Sequence, residues 1–173
     1  VHPASLTSSF VKALPLRSDL LIVPNTLPVY SAPHILAFMQ QQLSPSQRHT
    51  SILLIGFSAG VVGAIGAAYL WQSIGGRIAA LIAVDGWGVP LLGSFPIHRI
   101  SHDPFTHWSS GLLGAGQDSF YAEPAVAHLE LWRSPQTVAG WSIRRCDQCH
   151  YRTTAAEFLK QLVQHYQIEA NEN

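Results

Sequence analysis

The chain has 173 residues, 47% of them hydrophobic, with ten Lys plus Arg balancing ten Asp plus Glu. That length supports one domain with a full core rather than two. Charged residues are only 12% of the chain, which argues against nucleic-acid binding, since that requires a basic surface to displace counterions, and leaves apolar surface for a substrate, a lipid or a protein partner.

The first twenty residues, VHPASLTSSFVKALPLRSDL, lack a charged segment followed by a continuous apolar run, so no signal peptide is expected there. Residues 19–24, DLLIVP, read as a short buried strand ended by Pro24 and Asn25, and residues 32–43 as an amphipathic helix stopped by Ser44 and Pro45. The pattern repeats with a second buried strand over residues 51–57, a helix over 58–73 and a third strand over 77–86, closed by Asp85 and Gly86. Continuous Val, Ile and Leu runs describe strands covered on both faces, so the expected fold is α/β, a three-layer sandwich around a mostly parallel sheet. The apolar run from Val61 to Trp71 is too short and too rich in glycine to span a bilayer, so no transmembrane segment is expected.

Beyond Pro90 the pattern weakens. Residues 96–103 alternate like an edge strand, 104–113 suit a short helix or a loop, and 114–125 read as irregular. A helical segment broken at Pro135 is expected from Val126 onward. Residues 153–167 form the cleanest amphipathic pattern, with 166–173 as a frayed tail.

Within SILLIGFSAGVVGAIGAAYLW, residues 51–71, a lone serine stands between Gly56 and Gly60 where an apolar strand turns into an apolar helix. A turn this tight excludes bulky flanking side chains and lifts Ser58 to the carboxyl edge of the sheet. At a helix N-terminus the backbone N–H of Ala59 is free to hold an oxyanion. The plain alternative makes Ser58 a helix N-cap and the glycines packing residues. Gly63 and Gly66, further along the helix, are assigned to close packing.

On GFSAG and the order strand, helix, strand, elbow, helix, strand, residues 18–145 resemble the α/β-hydrolase family, in a small cutinase-like or thioesterase-like form. The resemblance implies a serine esterase or lipase whose catalytic triad follows the order serine, acid, histidine, so that acid and histidine both follow Ser58. It makes His128, before the run LELWRSPQTVAGW, the general base. It makes Asp103, at the end of the strand one unit before that histidine, the leading acid, with Asp85 next and Asp118 after it. The second oxyanion donor is expected in the loop PNTLPVYS, at the N–H of Thr26 or a near neighbour, with Asn25 shaping the loop. The family carries more strands before the elbow than this chain, which offers a single convincing one, and the His-Gly-Gly-Gly type signature is absent.

Phe57, Trp87 and Trp108 are the expected pocket residues, the two tryptophans lying in glycine-rich stretches on the carboxyl side of strands, where open α/β sheets bind ligands. Two further groupings compete. CDQCH, Cys146 to His150, matches the string that attaches c-type haem, yet the pattern reserves no pocket for a porphyrin and no cofactor is expected. His98, His102 and His107 with Asp103 form a possible zinc cluster, although alternation alone produces such spacing, and no metal is assigned. Two cysteines make no disulfide framework, which gives a cytoplasmic location as the default.

The expected function is cleavage of a carboxylic ester or thioester with an apolar acyl group. A catalytically silent hydrolase-like domain that binds a lipid, a pigment or a protein is the competing reading.

Overall fold

The computed structural model describes residues 4–14, 20–145 and 149–172. Six strands, β1 (Ser51–Phe57), β2 (Arg77–Val84), β3 (Ile97–Ser101), β4 (Ser119–Ala122), β5 (Ala139–Ile143) and β6 (His150–Thr154), lie side by side in chain order in one sheet. The pairings from β1 to β4 are parallel, whereas β5 joins β4, and β6 joins β5, in antiparallel fashion. The sheet is therefore mixed, not parallel throughout. Its first four strands share one carboxyl edge.

Helices cover both faces. On one side, α2 (Ala32–Gln42) and α3 (Ala59–Ser73) bury Ile35, Met39, Val61, Ile65 and Trp71 against Leu81, Ala83 and Ile97. On the other, α1 (Ala4–Lys12), the short α5 (Glu130–Arg133) and α6 (Ala155–Glu172) bury Phe10, Trp132, Phe158 and Leu159 against Ile82, Val84, Ile100 and Phe120. Alternate residues of β2 thus feed opposite cores, as the period of two along a strand demands. Each fully buried large side chain, such as Trp71 or Phe120, contributes on the order of 2–3 kcal/mol of transfer free energy. Gly63 lets α3 approach its neighbours, because a Cβ there would lie 2.0 Å from the Val29 carbonyl oxygen.

Several elements depart from the sequence reading. Residues 20–24 are not a strand, and Leu20, Leu21 and Ile22 are exposed, so among the described residues β1 pairs only with β2. Asp19 lies outside the described residues. The supposed edge strand at 96–103 is β3, buried along its whole length between β2 and β4. The stretch read as irregular contains β4, and the helical segment expected from Val126 shrinks to the four residues of α5 before β5 begins. β6 was not foreseen, nor was α1. The expected frayed tail is helical as far as Glu172.

α4 (Pro104–Gly111) begins at Asp103, whose Oδ1 accepts the Thr106 N–H at 2.6 Å, with proline in the first turn. Both are standard start signals. The buried Arg99 of β3 ties α4 down from below, donating to the His107 carbonyl at 2.9 Å, to Ser110 Oγ at 2.8 Å and to the Ala115 carbonyl at 2.8 Å. Burial lowers the pKa of Arg99 from its ordinary value.

Candidate functional site

β1 ends at Phe57 and α3 starts at Ala59, so Ser58 alone makes the turn. Its backbone takes φ 53° and ψ −124°, a left-handed conformation that costs a non-glycine residue on the order of 1–3 kcal/mol. The turn is held by its neighbours: the Ser58 N–H donates to the Val84 carbonyl of β2 at 2.9 Å, and the Ser58 carbonyl accepts the Val61 N–H at 3.0 Å. Gly56 is required by space, since a Cβ there would lie 2.9 Å from Val61 Cα. Gly60 is not, because nothing stands within 4 Å of a Cβ at that position. The Ser58 hydroxyl makes no capping hydrogen bond to α3. Its backbone conformation and side chain therefore do not follow from capping.

One strand over, β2 ends at Val84 and Asp85 again takes a positive φ, 52°. Its N–H donates to the Ile100 carbonyl at 2.8 Å, which fixes it between β2 and β3. The carboxylate is buried and fully engaged. Oδ1 accepts the His102 N–H at 2.9 Å, and Oδ2 lies 2.7 Å from His128 Nδ1 and 2.9 Å from His102 Nδ1.

His128 lies on the loop between β4 and α5, and that loop is pinned to the end of β3 by a bond of 3.0 Å from the Val126 N–H to the His102 carbonyl. The imidazole stacks on Phe57 at 4.7 Å between ring centroids, Phe57 stacks on Trp132 at 4.9 Å, and Trp132 stacks on Phe10 of α1 at 3.7 Å. Trp132 Nε1–H reaches Thr7 Oγ1 at 3.3 Å. This aromatic column runs from the first helix to the imidazole.

His102 completes the group. Its Nε2 lies 2.8 Å from Asp103 Oδ2. Burial alone would raise the Asp103 carboxyl, but the Thr106 N–H and the neighbouring His102 outweigh it and hold that carboxyl below the usual value.

Ser58, Ala59, Asp85, His102 and His128 line one cavity of about 410 Å³, together with Val62, Trp87, Val89, Phe105 and Thr106. The cavity opens at the carboxyl edge shared by β1, β2 and β3, and its apolar wall is made by Val62, Trp87, Val89 and Phe105. Trp87 is anchored by a bond of 3.2 Å from Nε1–H to Ser109 Oγ of α4.

The sequence candidates sort as follows. Ser58, Ala59, His128 and Trp87 meet at the cavity. The acid beside His128 is Asp85, whereas Asp103, the leading candidate, caps α4 and contacts His102 instead. Asp118 precedes β4, at the opposite edge of the sheet, where its Oδ1 accepts the Arg145 N–H at 3.1 Å. Thr26 sits in an exposed turn and is not among the residues that line this cavity. Phe57 supports the imidazole from beneath rather than lining the cavity, and Trp108 stands outside it, exposed beside Phe105 at 6.2 Å between centroids.

His98, His102 and His107, the spacing cluster to which no metal was assigned, do not meet at one point. His98 is buried and its Nε2 lies 2.7 Å from the Tyr166 hydroxyl of α6, with burial lowering its pKa to about 4. His107 packs against Tyr121 at 4.9 Å, and burial, with Arg99 and His150 nearby, likewise lowers its pKa to about 4. Only His102 faces the cavity. Its partnership with Asp85 escaped the sequence reading, because the two are 17 positions apart and meet only when β3 lies beside β2. Of the haem-like string, Cys146 lies outside the described residues, and Cys149 is exposed just before β6.

Among the described residues no helix is long and apolar enough to cross a membrane. The chain matches no family model, no curated protein and no solved structure.

Proposed function

We propose that the protein is a serine hydrolase of α/β-hydrolase type that cleaves a carboxylic ester or thioester with an apolar acyl group, using Ser58, His128 and Asp85. The observation that carries this reading is the strained Ser58, capping nothing, on the wall of the cavity that also holds the Asp85–His128 pair.

The chemistry follows from the donor inventory. An ionised Asp85 can only accept, so the short contact places the hydrogen of a neutral His128 on Nδ1 and leaves Nε2 as the base. Ser58 Oγ attacks the acyl carbon while its proton passes to His128 Nε2, and the Ala59 N–H at the start of α3 stabilises the oxyanion. Collapse breaks the bond to the alcohol or thiol, which leaves with the proton from Nε2. Water then repeats the sequence on the acyl-serine and releases the acid. Phe105, Val62, Val89 and Trp87 supply apolar contact for the acyl chain.

The second reading, a silent domain that binds a lipid, a pigment or a protein, is favoured by one observation: Phe105, Trp108 and Leu112 project exposed from the same side of α4. A fluorophosphonate probe separates the two. Hydrolase chemistry predicts labelling confined to Ser58 and abolished by Ser58→Ala and His128→Ala, whereas a folded native chain that takes no label belongs to the binding reading.

A further inference from the structure

His102 stands with both ring nitrogens close to carboxylate oxygens, Nε2 2.8 Å from Asp103 Oδ2 and Nδ1 2.9 Å from Asp85 Oδ2. A carboxylate can only accept, so a neutral ring suits one of the two contacts at most, and the Asp103 contact is favourable when the hydrogen sits on Nε2. Nδ1 then carries a lone pair. That atom is buried, makes no hydrogen bond, and lies 2.9 Å from Asp85 Oδ2, another electron-rich atom. The contact is close enough for a bond, but its direction does not suit one. In that tautomer two lone pairs confront each other in a buried space, and a positive charge relieves them, either a second ring proton or a metal ion.

We propose that Asp85 Oδ2, His102 Nδ1 and His128 Nδ1 form a binding site for a divalent transition-metal ion of the zinc class, and that occupancy silences the hydrolase centre. One oxygen and two imidazole nitrogens suit zinc better than calcium or magnesium. One ligand atom from each of the three residues lies within 4.8 Å of the other two, and the two contacts to Oδ2 measure 2.7 and 2.9 Å. Bonds of about 2.0–2.2 Å to a tetrahedral ion space its ligands roughly 3.3 Å apart, about half an ångström more than the two contacts to Oδ2. A tetrahedral ion with three protein ligands keeps a fourth position for water.

The surroundings are those of a metal ligand. The remote nitrogen of His102 lies 2.8 Å from the Asp103 carboxylate, and a carboxylate so placed is the kind of outer group that orients a ligating imidazole and raises its basicity. Asp85 Oδ1 is fixed by the His102 N–H, which leaves Oδ2 facing the site.

The silencing rests on the hydrolase reading and follows from the tautomer. A metal bound at His128 Nδ1 displaces that hydrogen to Nε2, with no net gain or loss of protons. Nε2 then cannot accept the Ser58 proton, and Asp85 is withdrawn from orienting the ring. His102 takes no part in the Ser58 reaction itself. Its role is to supply the third ligand.

The test is calorimetric titration of zinc chloride into the native chain and into Ser58→Ala, His102→Gln, Asp103→Asn and His150→Gln, each checked for folding by its circular dichroism. One equivalent should bind native, Ser58→Ala and His150→Gln alike. Affinity should fall at least tenfold in His102→Gln and about 10- to 100-fold in Asp103→Asn, the usual cost of removing an outer partner. No binding to the folded native chain, or binding indifferent to His102→Gln, overturns the site. In parallel, zinc should block fluorophosphonate labelling of the native chain and a chelator should restore it. Labelling that persists at saturating zinc overturns the silencing, whereas a native chain that never labels removes the hydrolase reading and leaves the calorimetry to decide the metal.

Discussion

Asp85 Oδ2 lies 2.7 Å from His128 Nδ1, although 43 residues separate the two in the chain. Asp103, also placed just beyond a strand, points its carboxylate at Thr106 and His102. The two aspartates therefore predict different losses. Asp85→Asn should lower ester hydrolysis and probe labelling by on the order of 10³- to 10⁴-fold, as happens when a triad histidine loses its orienting carboxylate. Asp103→Asn should retain most of the labelling, because asparagine also caps helices well. Second-order labelling rates for the two variants, measured side by side, distinguish the acid.

The aspartate that matters was legible as a candidate, but not as the choice. Both Asp85 and Asp103 follow apolar strands and precede turn formers, Gly86 in one case and Pro104 in the other. What separates them is strand order. β2 is the neighbour of β1, so its carboxyl end stands beside Ser58, a relationship that no local pattern encodes. The Asp103 cap was readable from Asp-Pro-Phe-Thr. Likewise β1, α3 and β2 were legible because long apolar runs bounded by Ser, Gly and Asp leave little choice, whereas β4 and β5 are only four and five residues long and pair with each other antiparallel, against the parallel pattern of the strands before them. The run Leu20 to Ile22 misled for the opposite reason, having the composition of a strand without the hydrogen-bond ladder of one.

The aromatic column gives α1 a part in the site. Phe10 is 2% exposed and stacks on Trp132, which stacks on the ring beneath His128. Phe10→Ala should cost about 3–5 kcal/mol of stability, the usual range for emptying a buried aromatic position. Thr7→Val, which removes only the acceptor of the Trp132 N–H, should cost about 1 kcal/mol. Denaturant titration of both variants measures the two losses, and equal losses would contradict the column as a packed unit.

The cavity wall predicts how substrates rank. Val62, Trp87, Val89 and Phe105 offer apolar surface and no charge. Each added methylene of the acyl chain should contribute about 0.8 kcal/mol, or roughly a fourfold rise in kcat/KM, until the wall is covered. Phe105→Ala should flatten that slope while leaving the shortest esters nearly unaffected. A homologous series of p-nitrophenyl esters provides the measurement, and a slope that survives Phe105→Ala would place the acyl chain elsewhere.

His98 sets an acid limit on stability. Burial lowers its pKa from 6.5 to about 4, against the opposing pull of Asp118 and with a small further lowering from His165. A histidine whose folded-state pKa is depressed contributes stability that is complete above its unfolded value and disappears as pH falls. The loss should therefore run from about pH 6.5 down to pH 4 and approach about 3 kcal/mol. His98→Gln, which keeps a polar partner for the Tyr166 hydroxyl but does not titrate, should be less stable at pH 7 and show a flatter dependence across that window. Midpoints of thermal unfolding at half-unit steps test this, and parallel curves for the two proteins would assign the acid limit to other groups.

The two glycines that bracket Ser58 are not equivalent, although the sequence treats them alike. A methyl group at Gly56 would meet the Val61 backbone at 2.9 Å, where no side chain can swing aside, while one at Gly60 would project into open space. Gly56→Ala must therefore push the start of α3 away from β1, at a cost of about 1–3 kcal/mol, and in doing so displace Ser58 and the Ala59 N–H. Gly60→Ala adds a better helix former to the first turn of α3 and should be neutral or stabilising by up to about 1 kcal/mol. Thermal unfolding and probe labelling together decide the matter: Gly60→Ala should match the native protein in both, and Gly56→Ala should fall in both. If Gly60→Ala lost its label while remaining stable, the second glycine would instead be keeping space clear for the substrate above Ser58.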